Sequence, residues 1–223
     1  KANVDTTQRQ LWLEKLWKAL QDDEMSYIES LGDYWGELCV TPELASSWAD
    51  ALMPLEEESR KSKAFEFNYF NGTSACLASL YAASRYDELL DFINKANCKS
   101  WSDRRWAVKA LSAMGKKADA IRYAEESRRF HNPGGQIALA CEEILLSSGM
   151  VDEAYRRYAL EANQSTTNLS RFRAIAKKYP TKEPKEILHD LVSSTPGSEG
   201  TWFATAKELE FWDWAIELAM QSP

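Results

Sequence analysis

The side chains able to do chemistry in this sequence are few and scattered. Four cysteines, Cys39, Cys76, Cys98 and Cys141, include no Cys-x-x-Cys pair, and the two histidines, His131 and His189, have no nucleophile at motif spacing. Cysteines in such a pattern read as buried, reduced thiols. There is no Gly-rich phosphate loop, no Gly-x-Ser-x-Gly elbow and no His-Glu-x-x-His zinc pair; Gly134-Gly135 after Pro133 reads as the turn into a helix. The acidic doublets Glu125-Glu126 and Glu142-Glu143 read as solvated faces of surface helices. Three Asn-x-Ser/Thr triplets, at Asn71, Asn163 and Asn168, read as chance matches. The expectation is a chain with no catalytic residues, no cofactor and no metal. Nine tryptophans offer a different chemistry, that of aromatic faces. At helical spacing they read chiefly as core, with Trp12 and Trp214 as the members expected to be exposed.

Composition narrows the class further. The chain has 223 residues, is 44% hydrophobic and carries a formal net charge of −7. Residues 1 to 58 hold four basic side chains against thirteen acidic ones; of the totals of 27 and 34, that leaves 23 and 21 for the remainder. An acidic chain with no basic stripe is a poor nucleic-acid binder. No apolar run approaches the roughly 20 residues that span a bilayer, so no membrane association is expected, and the expected location is cytoplasmic. The sequence begins without Met and stops on Gln221-Ser222-Pro223, which sets a trimmed piece of a larger protein as an expectation.

The elements that must position these residues read as helices throughout. Asp5 with Gln8 starts a helix through Leu13, Leu16, Trp17 and Leu20. A second, opened by Asp22-Asp23-Glu24, carries Tyr27, Ile28, Leu31, Trp35 and Leu38, with Gly32 and Gly36 leaving room for close packing. Thr41-Pro42 starts a third, which Pro54 is expected to end or kink. The charged run Glu56 to Lys63 leads to Phe65, Phe67, Tyr69 and Phe70.

From Thr73 the punctuation becomes regular, one helix, a short turn, then a partner: Tyr86 opens one partner, and Ser102 caps a helix that turns at Gly115 into Ala118 to Arg129. Gly135 to Asn163 reads as two helices broken at Ser148-Gly149, with Ala154, Tyr155, Tyr158 and Ala159 inward on the second. Pro180 and Pro184 bracket the next turn, and Trp202 to Leu209 with Asp213 to Met220 close the series. Equivalent positions Leu89, Ala120, Ala154, Glu186 and Ala215 lie 31, 34, 32 and 29 residues apart. A near-constant period of two-helix units is the signature of an α-solenoid.

Gly149-x-Val151-x-x-Ala154-x-x-x-Tyr158 resembles the second half of a tetratricopeptide repeat, and Ser84-x-Tyr86-x-x-Leu89 and Gly115-x-Lys117-x-x-Ala120 are weaker copies. The resemblance covers roughly residues 70 to 220. It departs from the pattern at Ala138 and Glu142 in the first helix of the Gly135 hairpin, and in the long turn Tyr179 to Pro184. The resemblance implies an all-α fold, a right-handed stack of antiparallel helical hairpins. An acidic N-terminal layer, 1 to 63, is expected to pack on about five hairpins, 64 to 223, in one continuous domain. The resemblance also implies a groove along the faces opposite the core on the first helices. Those faces carry Arg105 and Lys109, then Leu139 and Leu146, then Lys177. The two cations would hold a carboxylate beside the leucine strip of a bound peptide. The expected function is a non-catalytic protein-interaction scaffold for a peptide or partner helix. The alternative is an accessory helical-repeat domain of a larger protein whose enzymatic or nucleic-acid-binding part lies elsewhere.

Overall fold

The first helix, α1 (Thr6–Gln21), starts where Asp5 accepts the Gln8 amide at 2.8 Å, and α3 (Pro42–Lys61) starts where Thr41 Oγ1 accepts the Leu44 amide at 3.3 Å. Both caps are ones the sequence points to. The computed structural model describes residues 4–22, 28–61, 72–130 and 133–221; every regular element among them is helical. Asp23, Glu24, Tyr27, Phe65, Phe67, Tyr69, Phe70, Asn71 and His131, all named above, lie outside the described residues. The chain divides into two compact units, Lys1–Asn132 and Pro133–Pro223.

In the first unit three local expectations change. Pro54 does not end α3, which continues to Lys61. An interior proline costs a helix about 3 kcal/mol. Here packing on both sides offsets it: Leu52 is fully buried, and the buried Glu56 accepts a bond from Thr73 Oγ1 at 3.1 Å. Between α1 and α3 the chain forms a 3-10 turn, Glu29–Tyr34, and the short α2 (Trp35–Cys39) rather than one long helix. Its glycines serve close packing, as expected. A Cβ on Gly32 would lie 3.0 Å from Ser74 Cβ, and one on Gly36 would run into the Ala78 carbonyl. Third, α6 (Trp101–Ala113) is capped by Ser100, whose hydroxyl accepts the Ser102 amide at 3.3 Å; Ser102 itself is already inside the helix.

The remaining helices of this unit are α4 (Thr73–Ala82), α5 (Tyr86–Lys95) and α7 (Lys117–Glu126), with a 3-10 turn at Ser127–Phe130. Leu13, Leu20, Trp35, Trp48 and Leu52 share one core with Leu77, Leu89, Phe92 and Trp106. Arg85 ties α3 to α5, with Asp50 and Glu88 each at 2.6 Å. That bonding holds the Glu88 carboxyl below its usual range.

The second unit comprises α8 (Gly134–Leu146), a helix wound as α9 (Val151–Ala154), a π-turn (Tyr155–Ala159) and α10 (Leu160–Ala162), then α11 (Asn168–Lys178) and α12 (Pro184–Ser193). A 3-10 turn (Glu199–Trp202), α13 (Phe203–Glu208) and α14 (Trp212–Met220) follow. Thr167 and Ser170 cap α11 reciprocally, and Pro184 stands at the first position of α12, where its missing N–H leaves no donor unpaired. The end of α10 is closed by side chains: Asn163 Nδ2 donates to Ala159 O at 2.8 Å, and Gln164 Nε2 and Arg171 Nη2 donate to Leu160 O at 2.8 and 2.6 Å.

Four turns share one backbone shape. Ser84, Gly115, Gly149 and Glu210 take φ of +58°, +78°, +73° and +63°. The residue after each has ψ between 53° and 66° and bonds back five residues: Arg85 to Leu80 O, Lys116 to Leu111 O, Met150 to Leu145 O and Phe211 to Ala206 O, at 2.9 to 3.0 Å. This is the left-handed helix stop that favours glycine. Two of the four positions, Ser84 and Glu210, have side chains instead, so the turn at Glu210 carries no glycine to announce it in the sequence.

Candidate functional site

The centre of the second unit is polar. Glu142 falls on the same helical stripe as Ala138, Cys141 and Leu145, and it is fully buried while its neighbour Glu143 is exposed. The acidic doublet is therefore not a solvated face. Glu142 accepts from Asn163 Nδ2 at 2.7 Å and from Tyr179 OH at 2.7 Å, and its second oxygen pairs with Lys178 Nζ at 2.6 Å. The Tyr179 and Tyr155 rings meet edge-on at 5.1 Å, and Tyr155 OH donates to Asp190 Oδ2 at 2.8 Å. Burial first, and then the carboxylate that accepts from each phenol, pushes both tyrosines above their usual range. Each partner in this chain is hydrogen-bonded and Glu142 is closed to solvent. That arrangement fixes the mutual register of α8, α11 and α12.

The residues expected to line a first-helix groove fall in both units. Arg105 and Lys109 belong to the first unit; Leu139, Leu146 and Lys177 belong to the second. The Arg105 guanidinium is paired with Asp33, and its Nε donates to Ser102 O at 3.0 Å. Lys109 is exposed, with its ammonium 4.3 Å from the centroid of the Trp106 ring. Leu139 and Leu146 are half-buried and Lys177 is exposed.

Two open grooves lie along the second helices of the pairs in the second unit. One open groove of about 630 Å³ is flanked by the Asp152-to-Leu160 helix and by α12; Tyr155, Arg156, Lys182, Glu186 and Asp190 line it. Its charges are largely used internally, since Lys182 pairs with Glu186 at 3.0 Å, lies 4.8 Å from the Tyr155 ring centroid, and Asp190 holds Tyr155. The second groove, about 600 Å³, runs between α12 and α14 and is lined by the rings of His189, Phe211, Trp212 and Trp214. The sequence reading named Trp214 as exposed, but it is half-buried; Trp212, 56% exposed, is the more open ring, while Trp12 is exposed as expected. Neighbouring Phe203, Ile216 and Met220 are exposed too. α12 is shared by both grooves, with Glu186 and Asp190 on one side and Lys185 and His189 on the other.

No family model, curated protein or solved structure matches the chain. Among the described residues, no group of three or more His, Cys, Asp or Glu is placed to hold a metal ion, and no helix is long and apolar enough to cross a membrane. None of the four cysteines is in a disulfide: Cys39, Cys76 and Cys141 are buried, Cys98 is half-buried, and burial pushes the Cys39 thiol up to about 12, far from a reactive thiolate.

Proposed function

We propose that this chain is a non-catalytic interaction module, a tetratricopeptide-like set of antiparallel helical hairpins that binds a peptide or partner helix. The observation that carries the reading is the pair of open grooves on either side of α12, each large enough for several side chains and rimmed by aromatic rings and charges. Support for the repeat comes from the four left-handed turns of one shape, three of them 31 and then 34 residues apart. The α12 grooves are a better-supported site than the first-helix faces, because Arg105 already has its carboxylate in Asp33.

The test is selection from a displayed library of random peptides on the whole chain, with each enriched peptide then measured by fluorescence anisotropy. Binding should weaken about fivefold or more in Trp212→Ala or Lys182→Ala, the loss expected when a contact of more than about 1 kcal/mol is removed. The same peptides should bind Arg105→Ala with Lys109→Ala as they bind the parent. A loss confined to that double variant returns the site to the first-helix face. A library yielding no binder above background overturns the interaction reading.

A further inference from the structure

The groove between α12 and α14 combines two features that select the same chemistry. The first is an aromatic wall. The Trp214 ring lies 6.3 Å from His189 at 34° and 6.5 Å from Phe211 at 41°, so three rings run on continuously, and Trp212 stands beside them more than half exposed. Ring faces carry the negative part of the aromatic quadrupole and attract cations that come within about 6 Å.

The second feature is charge. Glu210, Asp213 and Glu217 line the same groove, against the single ammonium of Lys185. Even a protonated His189 would leave one negative charge in excess. None of the three carboxylates has an ion pair or side-chain hydrogen bond among the described residues, in contrast to Glu186 and Asp190 across α12, which are engaged by Lys182 and Tyr155. The local backbone sets this arrangement. Glu210 occupies the left-handed turn position that glycine holds at 115 and 149, so a carboxylate lines the groove at a position where those two turns have no side chain.

We propose that the α12–α14 groove receives a cationic side chain of the bound peptide, a lysine, an arginine or an alkylated ammonium, held over the Trp212 and Trp214 rings with Glu210, Asp213 and Glu217 as counter-charges. This rests on the peptide-binding reading above and names the part of the peptide this groove takes. It differs in sign from the carboxylate ligand that Arg105 and Lys109 imply. An apolar anchor would satisfy the rings alone, but it would leave the carboxylates to be desolvated without compensation.

The probe is acetylated trimethyl-lysine methylamide, with its neutral isostere, in which the ammonium nitrogen is replaced by carbon, as the control. Both are titrated into the whole chain while the indole N–H resonances of Trp212 and Trp214 are followed, assigned through Trp212→Phe and Trp214→Phe. The cation should shift both resonances saturably, and the isostere should bind about fivefold or more weakly. Asp213→Asn with Glu217→Gln should weaken the cation and leave the isostere unchanged. Equal binding of probe and isostere, or no shift at either indole, overturns the cation site. If selected peptides bind while the probe leaves both indoles still, the cation assignment falls and the interaction reading stands. If the probe binds while the library yields nothing, the reverse holds.

Discussion

The two units bury opposite kinds of chemistry. In the first, Trp17, Trp35 and Trp48 pack edge to face, with centroids 5.1 to 6.4 Å apart. Trp48 Nε1 donates to Gln10 Oε1 at 3.1 Å, and the residues packed around these rings are chiefly apolar. In the second, a fully buried carboxylate gathers an ammonium, a phenol and an amide. Burial of apolar surface is non-directional and depends on filled volume. The Glu142 centre is directional: a slip of α11 along α8 breaks several bonds to a group that cannot reach water. One core stores its stability in volume, the other in register.

The largest expected effects probe this contrast directly. Trp35→Ala should cost about 3 to 5 kcal/mol, since the ring is fully buried and its neighbours cannot close the space. Glu142→Leu should cost about 3 to 5 kcal/mol, by leaving Lys178, Tyr179 and Asn163 without their acceptor. The two should differ in rescue. Adding Lys178→Met to Glu142→Leu should recover a large part of the loss in urea unfolding, because the unpaired charge is gone. Failure of that rescue would mean that Glu142 acts through volume as Trp35 does, and the contrast would collapse.

Next comes Tyr179→Phe, expected to cost about 1 to 3 kcal/mol at pH 7 by leaving a Glu142 lone pair unmet. The phenol is held above its ordinary value of 10 in the folded chain. Its contribution is therefore complete below pH 10 and is lost as pH rises through 10 toward the folded value. Urea midpoints from pH 7 to 11 should thus fall less steeply in Tyr179→Phe than in the parent. A parallel decline would show that this phenol is not a stabilising proton carrier. Ala154→Leu, at a fully buried alanine just before the π-turn, should cost about 1 to 3 kcal/mol by overpacking, read from the melting temperature.

The smallest effects test the shared turns. Gly149→Ala should destabilise by about 1 kcal/mol, because φ is +73° there and open space around the position leaves backbone strain as the sole term. Ser84→Gly should do the opposite by a similar or smaller amount. Equal responses of the same sign would show that the turns are not equivalent.

What the sequence made legible was local. Asp5, Thr41, Pro184, Gly115 and Gly149 act on groups within one turn of themselves, and each stands where its side chain or its lack of one predicts. Ser102 was misread, and Pro54 does not end its helix, because their outcome is set elsewhere, by Ser100 taking the cap and by Glu56 bonding Thr73. Glu142 was the costliest miss. Its partners Lys178 and Tyr179 are 36 and 37 residues away, beyond any window of periodicity. A signal was present even so, since Glu142 sits four residues from Ala138 and three from Leu145, on the inward stripe. Buried Arg104 is similar: its Nε donates to Ser127 Oγ at 2.7 Å and its guanidinium lies 4.0 Å from the Tyr123 ring centroid, a pairing that no motif announces. The partner of Arg105 was hidden for a related reason. Helical periodicity shows which residues point away from a core, but an outward arginine such as Arg105 can still be taken by a carboxylate from another element, as Asp33 takes it.

The π-turn at Tyr155–Ala159 has a consequence for how this chain can change in length. A π-turn holds one residue more than the α-helix needs at that point. Elsewhere in a buried helix, removing a residue rotates everything beyond it by about 100° and turns the inward side chains outward. Here the surplus is local, so a single deletion within 155–159 can return the helix to ordinary winding. The same deletion would swing Tyr155 relative to Tyr158 and part it from Asp190. The segment is therefore the one stretch of this helix where a lost codon is absorbed by the backbone, with its effect falling on the wall of the groove.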